Sequence, residues 1–251
     1  IEEVARNTSK PFWFQLYVMR DHDFAKRLVE RAKAAQCSAL VLTLDLQILG
    51  QRHADIRNGL SIPLKIKLSN LFDLLSKPSW CYQMARTKNR TFGNVMGHVK
   101  DITNLNSLTK WVQDQFDTRL NWDDVKRIKD WWGGKLIIKG IMDPDDAKMA
   151  QKCGADALVV SNHGGRQLDG VNSSISTLPE IKKAVSNMEV LMDGGISSGQ
   201  DILKAIAMGA EGVMIGRSFV YGLSAGGKEG VTKSLEILNK ELDMTMALCG
   251  R

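Results

Sequence analysis

One pattern constrains this chain more than any other. A helix-like stretch ends in small residues and runs straight into a short apolar strand. Ala34-Ala35-Gln36-Cys37-Ser38-Ala39 precedes Leu40-Val41-Leu42, Cys153-Gly154-Ala155-Asp156-Ala157 precedes Leu158-Val159-Val160, and Met208-Gly209-Ala210-Glu211-Gly212 precedes Val213-Met214-Ile215. The glycines suit helix C-caps, where φ is often positive. The apolar runs are short and unbroken, as in parallel strands buried on both faces. Six strands are predicted, at 12–18, 39–44, 135–139, 157–161, 189–193 and 212–215. Amphipathic helices lie between them. Phe24, Leu28, Val29 and Ala32 follow Asp21 as N-cap, and Ile202, Leu203, Ile206 and Ala207 follow Ser198. Repeated β–α units at this spacing predict an α/β fold, a (β/α)8 barrel with strands three to eight present. One step, from Leu44 to Lys135, is far longer and includes a helix predicted over 122–131.

Composition narrows the reading. Apolar residues make up 43% and charged residues 25% of the 251 residues, the balance of a globular chain. No apolar run is long enough for a membrane-spanning helix, and no secretory signal opens the chain. Ile1 is not an initiator Met, so this reads as other than the natural N-terminus. The cysteines, Cys37, Cys81, Cys153 and Cys249, are widely spaced. They read as small buried or half-buried residues in a reducing compartment. Residues 61–110 hold eight Lys or Arg against two acids, which accounts for the whole net charge of +6. One segment is basic, and the protein is not. Nucleic-acid binding is not expected, since no recognised module accompanies the charge.

The polar residues collect where the apolar runs stop. In chain order the ends read Gln15-Leu16-Tyr17, Thr43-Leu44-Asp45, Lys139-Gly140, Ser161-Asn162-His163-Gly164-Gly165-Arg166, Asp193-Gly194-Gly195 and Gly216-Arg217. In a barrel these ends share one face, the face that carries active sites. The loops holding Gly194, Gly195, Gly216 and Arg217 are expected to bind a phosphate through backbone N–H groups and a guanidinium. Lys139 is suited to a Schiff base or to stabilising a developing anion. His163 reads as a general base needing a carboxylate to orient it, with Asp45 and Asp169 as candidates. Arg166 offers a fork for a substrate carboxylate. His22, His53 and His98 read as solvated.

The block Ser161-Asn162-His163-Gly164-Gly165-Arg166-Gln167-Leu168-Asp169 resembles the FMN-dependent 2-hydroxy acid dehydrogenase and oxidase family. Phe14-Gln15-Leu16-Tyr17, Leu42-Thr43-Leu44-Asp45, Ile138-Lys139-Gly140, Asp193-Gly194-Gly195 and Gly216-Arg217 match the same family in order. The resemblance covers essentially the whole chain, as one FMN-binding barrel domain over 1–251. It implies FMN as cofactor and oxidation of a small L-2-hydroxy acid, foremost L-lactate, to the 2-oxo acid. It implies His163 as base, Asp45 stabilising its imidazolium, and Arg166 and Tyr17 gripping the substrate carboxylate with Arg52 nearby. Lys139 would sit by the flavin ring. Gln15, Thr43 and Ser161 would hydrogen-bond the ring and ribityl chain, and Asp193 would take a ribityl hydroxyl. Gly194 belongs to the same turn, and Gly195, Gly216 and Arg217 would hold the phosphate. Many members have Arg where this chain has Ser197.

By the same resemblance, family members carry about 100 residues before the position of Ile1, supplying the first two strands of the barrel. The chain therefore looks like a fragment, and it stops before the family's C-terminal end. Lys77-Pro78-Ser79-Trp80 and Thr91-Phe92-Gly93-Asn94 resemble the bacterial membrane-associated lactate and mandelate dehydrogenases. Cations interleaved with Leu, Trp and Tyr suit an anionic lipid surface or a lid. The resemblance implies 61–110 as a membrane contact and a peripheral location on the cytoplasmic side of the bacterial inner membrane. It implies electron transfer to a quinone or cytochrome of the respiratory chain, and a homotetramer. The alternatives are a 2-hydroxy acid oxidase using oxygen, a mandelate dehydrogenase and a catalytically silent fragment.

Overall fold

The computed structural model describes residues 1–48, 50, 52–59, 68–87, 92–95, 97–99 and 105–251. Its elements run α1 (Glu2–Arg6), β1 (Trp13–Tyr17), α2 (His22–Ala34), β2 (Ala39–Thr43), α3 (His53–Arg57), α4 (Leu68–Leu75), α5 (Pro78–Arg86), α6 (Leu105–Asp114), α7 (Trp122–Trp132) and β3 (Leu136–Ile141). There follow α8 (Pro144–Lys152), β4 (Ala157–Val160), α9 (Ser174–Ala184), β5 (Glu189–Met192), α10 (Gly199–Ala207), β6 (Gly212–Val213) and α11 (Arg217–Leu248). Of the basic segment, Lys65, Lys67, Lys88, Arg90 and Lys100 lie outside the described residues, as does Thr91.

All six expected strands form, and they make one parallel sheet in the order β1-β2-β3-β4-β5-β6. Sequential order without reversal is the order of barrel staves, whereas a doubly wound sheet reverses about a switch point. Among the described residues β1 and β6 are the two edges, so the barrel is open there.

Side chains alternate across each strand, and the two faces bury different things. Leu40, Leu42, Leu136, Ile138, Leu158, Val160, Val190 and Met192 point outward into the main core with the helices. Ala39, Val41, Ile137, Ala157 and Val159 form a second, inner cluster joined by Leu191 and Met214. Continuing the inner alternation by two residues leads from Val41 to Thr43, from Ile137 to Lys139, from Val159 to Ser161 and from Leu191 to Asp193. The same period that builds the apolar interior therefore delivers a polar layer at the strand ends.

The helices form where expected. Asp21 accepts from the Phe24 N–H at 2.8 Å, and Phe24, Leu28, Val29 and Ala32 are all buried. Ser198 and Asp201 make a reciprocal capping box at the start of α10. Gly154 and Gly209 have the anticipated positive φ, and Gln36 takes the equivalent position with φ 56°.

Some expectations need correction. Lys139 is not the last residue of its strand: β3 continues through Gly140 to Ile141, with a register shift between Lys139 and Ile141. Such a bulge re-aims the chain near a site. Cys249 is exposed, because it lies past the packed part of α11. Ile206, expected in an apolar stripe, is 42% exposed, since α10 buries Ala205 instead. Within α11, Gly226 and Gly227 leave the helical conformation. The segments on either side approach so closely at Gly222 and Gly230 that a Cβ on either would overlap backbone.

Candidate active site

Five strands contribute to one polar layer. Thr43, Lys139 and Ser161 are buried. The Gln15 amide donates to Thr43 Oγ1 at 2.8 Å and to Tyr17 Oη at 3.2 Å. Lys139 Nζ donates to Ser161 Oγ at 2.8 Å and pairs with Asp193 Oδ2 at 3.0 Å. A buried ammonium needs a counter-charge and filled donor positions, and Asp193 with Ser161 supply them. The other Asp193 oxygen, Oδ1, is buried without a partner.

His163 follows directly. Its N–H donates to Ser161 Oγ at 3.1 Å, and its φ of 56° is unusual for a residue with a side chain. Gly164 and Gly165 continue in positive φ, so the loop turns tightly over the strand end. His163 Nδ1 lies 2.9 Å from Asp45 Oδ1, with both side chains mostly buried. An ionised carboxylate can only accept. Nδ1 therefore carries the hydrogen, and Nε2 keeps its lone pair for chemistry. Of the two candidate acids, Asp45 is the one in contact with His163. Asp169 is exposed and accepts from the Gly170 N–H instead. Burial, with the Asp45 carboxylate nearby, pushes the Tyr17 phenol above its ordinary value, so it remains a neutral O–H donor.

Gly140 explains how Asp45 is held. A Cβ there would lie 2.7 Å from both Cβ and Cγ of Asp45, and Gly140 has φ 100°. Gly140→Ala is expected to destabilise the fold by roughly 1–3 kcal/mol through strain and overpacking. It should also displace Asp45. Urea unfolding checks this, and a variant as stable as the parent contradicts it.

Arg166 and Arg52 lie on the rim. Arg52 donates from Nε to the Arg166 carbonyl and from Nη2 to Gln167 Oε1, both at 3.2 Å. Arg166 Nη2 pairs with Asp55 Oδ2 at 3.3 Å. Asp55, Gly140, Asn162 and Ser174 were not singled out from sequence. Asn162 Oδ1 accepts from the Gly165 N–H at 3.2 Å, and the Ser174 hydroxyl accepts from the Asn162 N–H at 3.2 Å. The pattern Asn-x-x-Gly, a loop-closing side chain before a glycine, was the available signal.

The two glycine loops meet the same rim. The Ser218 hydroxyl donates to the Ile196 carbonyl at 3.2 Å, tying the start of α11, just past the loop after β6, to the loop after β5. Arg217 Nη2 donates to the Gly164 carbonyl at 3.3 Å. Gly195 and Gly216 face open space, with nothing within 4 Å of where a Cβ would be. Arg217 opens α11. Open space at two glycines, a helix start and a guanidinium are the features an anion site requires. Among the described residues no cluster of His, Cys, Asp or Glu is arranged to hold a metal ion.

A family model described as FMN-dependent dehydrogenase matches residues 1–251. L-lactate dehydrogenase of Haemophilus influenzae (strain PittEE) is 44% identical over 250 residues, 99% of this chain and 65% of that protein. L-lactate dehydrogenase of Acinetobacter baylyi is 42% identical over 252 residues, 100% of this chain and 65% of that one. The crystal structure of the monotopic membrane protein (S)-mandelate dehydrogenase matches with a TM-score of 0.91 at 34% identity, covering 98% of this chain and 65% of that chain. Mandelate oxidase matches with a TM-score of 0.77 at 36% identity, covering 99% and 62%. The chain thus spans 65% of the length of these curated relatives.

Proposed function

We infer, from the premise that this chain belongs to the FMN-dependent dehydrogenase family, that it holds FMN at its strand ends and oxidises an L-2-hydroxy acid, foremost L-lactate, to the 2-oxo acid. The observation that carries the reading is the His163–Asp45 pair at 2.9 Å beside the buried Lys139–Asp193 pair at 3.0 Å. This joins an oriented base to a fixed positive charge.

The residues present fit FMN. The partnerless Asp193 Oδ1 is an acceptor suited to a ribityl hydroxyl. Gly194 shares its turn. The open backbone at Gly195 and Gly216, beside Arg217, suits the phosphate. Gln15, Thr43 and Ser161 offer the hydroxyl and amide groups that a flavin ring and ribityl chain would take, and Lys139 offers a cation for the ring's electron-rich edge. When bound, FMN supplies the two-electron acceptor.

The chain's own residues do the rest. Nε2 of His163 takes the substrate proton, and Asp45 stabilises the imidazolium that results. The Arg166 guanidinium holds the substrate carboxylate, the Tyr17 phenol donates to it, and Arg52 fixes the Arg166 backbone. Lys139 balances negative charge that develops beside it. Residues 1–251 act as a single barrel domain in this reading.

We place the electron acceptor in the membrane, a quinone or a cytochrome. No helix among the described residues is long and apolar enough to cross a membrane. In α4, Leu68, Leu71, Phe72 and Leu75 repeat at helical spacing and are each 51–73% exposed. Trp80 and Tyr82 of the following helix α5 are exposed as well, with Lys77 and Arg86 close in sequence. An apolar helical stripe flanked by aromatics and cations suits the surface of anionic lipid. The (S)-mandelate dehydrogenase to which the chain is structurally similar is described as a monotopic membrane protein. The double substitution Leu71→Asp, Phe72→Asp is expected to abolish co-sedimentation with phosphatidylglycerol vesicles. Retained binding would remove α4 as the contact.

The enzymatic reading is tested by supplying the FMN-loaded chain with L-lactate and either a soluble quinone or oxygen. Pyruvate formation with the quinone, and little oxygen uptake, is expected. Rapid oxygen uptake would make it an oxidase, and no pyruvate with either would contradict the substrate. (S)-Mandelate is the second substrate reading, carried by the 0.91 TM-score.

A further inference from the structure

We propose that Asp55 is a latch on the substrate-gripping arginine. It holds the Arg166 guanidinium until the carboxylate of a 2-hydroxy acid takes its place. The proposal rests on the reading of Arg166 given above.

Three observations carry it. First, the pair is loose. Arg166 reaches Asp55 through one nitrogen at 3.3 Å, longer than the 2.7–2.9 Å usual for such bonds. Two other guanidinium forks among the described residues close fully on carboxylates. Arg119 takes both oxygens of Asp117 at 3.0 and 3.1 Å, and Arg31 takes both of Glu2 at 2.6 and 2.8 Å. Among the described residues, Arg166 therefore keeps most of its fork available. Second, both partners are accessible, with side chains 44% and 31% exposed, so a small acid can reach the contact.

Third, the carrier of Asp55 is fixed to the arginine's own backbone. Arg52, the residue before α3, donates to the Arg166 carbonyl and to Gln167 Oε1. Gln167 returns a bond to the Ile48 carbonyl at 3.0 Å. A Cβ on Gly50 would fall 2.7 Å from the carbonyl oxygens of Arg166 and Gln167. Side chain-to-backbone bonds thus tie the two loops together, and the Asp55–Arg166 side-chain contact is the one that an incoming carboxylate would exchange. Substrate entry becomes the replacement of one carboxylate by another on the same guanidinium. The competition lowers apparent affinity for the acid by the fraction of chains in which the arginine is occupied.

The test uses calorimetry on the FMN-loaded chain in a His163→Asn background, where bound acid is not turned over. L-lactate is compared with L-lactamide, which lacks the carboxylate. Asp55→Asn and Asp55→Ala are expected to tighten L-lactate binding about two- to fivefold, the range of a half-exposed ion pair. L-lactamide and FMN affinities should not change. Unchanged or weaker L-lactate binding in the Asn variant, which keeps the shape of Asp55, would overturn the latch. An equal gain for L-lactamide would overturn it too, since that would be a change of pocket and not of charge. Arg166→Met separates this from the underlying reading. If Arg166→Met binds L-lactate as tightly as its parent, the carboxylate lies elsewhere and the substrate reading fails first. If it loses L-lactate while Asp55→Asn changes nothing, only the latch fails.

Discussion

Replacing His163 by Asn is expected to slow reduction of bound FMN by L-lactate by about 10²- to 10⁴-fold, the usual contribution of a positioned base. FMN should stay bound, because the groups assigned to it lie on other residues. Asp45 Oδ1 at 2.9 Å favours the His163 hydrogen on Nδ1, which leaves Nε2 as the atom proposed to take the proton. Asn keeps a polar side chain of similar reach but cannot accept a proton near neutral pH. Asp45→Asn is a companion test. It can present an N–H to Nδ1, which would move the imidazole hydrogen to Nε2 and remove the base without removing the ring. Stopped-flow absorbance in the absence of oxygen measures both. A His163→Asn chain that reduces its flavin at the parent rate would remove His163 from the role of base.

Lys139→Met should have the second large effect, on stability and FMN affinity together. Lys139 and Asp193 are a mostly buried pair, with side chains 8% and 16% exposed. Removing the cation leaves the Asp193 carboxylate without its counter-charge, with Oδ1 already lacking a partner. Breaking a buried pair from one side costs about 3–5 kcal/mol. The double variant Lys139→Met, Asp193→Asn should recover much of that stability, since no unpaired charge remains. It should not recover FMN binding, because the positive charge is gone and the amide that replaces the carboxylate is a weaker, uncharged acceptor. Urea unfolding and FMN fluorescence titration separate the two effects. A Lys139→Met chain as stable as the parent would contradict the account of the pair.

Most of the site was legible from sequence because local rules place it. Strand period fixes that Thr43, Lys139, Ser161 and Asp193 share the inner face, each two residues beyond an inner apolar residue. Parallel β–α repetition then puts all strand ends on one rim. The helix caps at Asp21 and Ser198 follow from side-chain chemistry within one turn. What escaped was decided by distant chain segments meeting. Asp55 and Arg166 are 111 residues apart, and no pattern near Asp55 announces the contact. Gly140 follows Lys139 in an otherwise ordinary strand. Its requirement for glycine exists only because Asp45, on a neighbouring strand end, presses against it. Residue chemistry alone left Asp45 and Asp169 both open as the acid beside His163; the family resemblance pointed to Asp45, and the fold sets Asp45 against the ring. The basic charge of 61–110 was plain, whereas the exposure of the α4 stripe depends on what packs against that helix, which no local pattern states.

The most direct measurement of the central claim is spectroscopic. The chain loaded with FMN is mixed with L-lactate without oxygen, and the oxidised-flavin band is followed. The His163–Asp45 and Lys139–Asp193 geometry predicts that the band bleaches and that pyruvate forms in equal amount to the FMN reduced. FMN that remains bound and fully oxidised in excess L-lactate would contradict it.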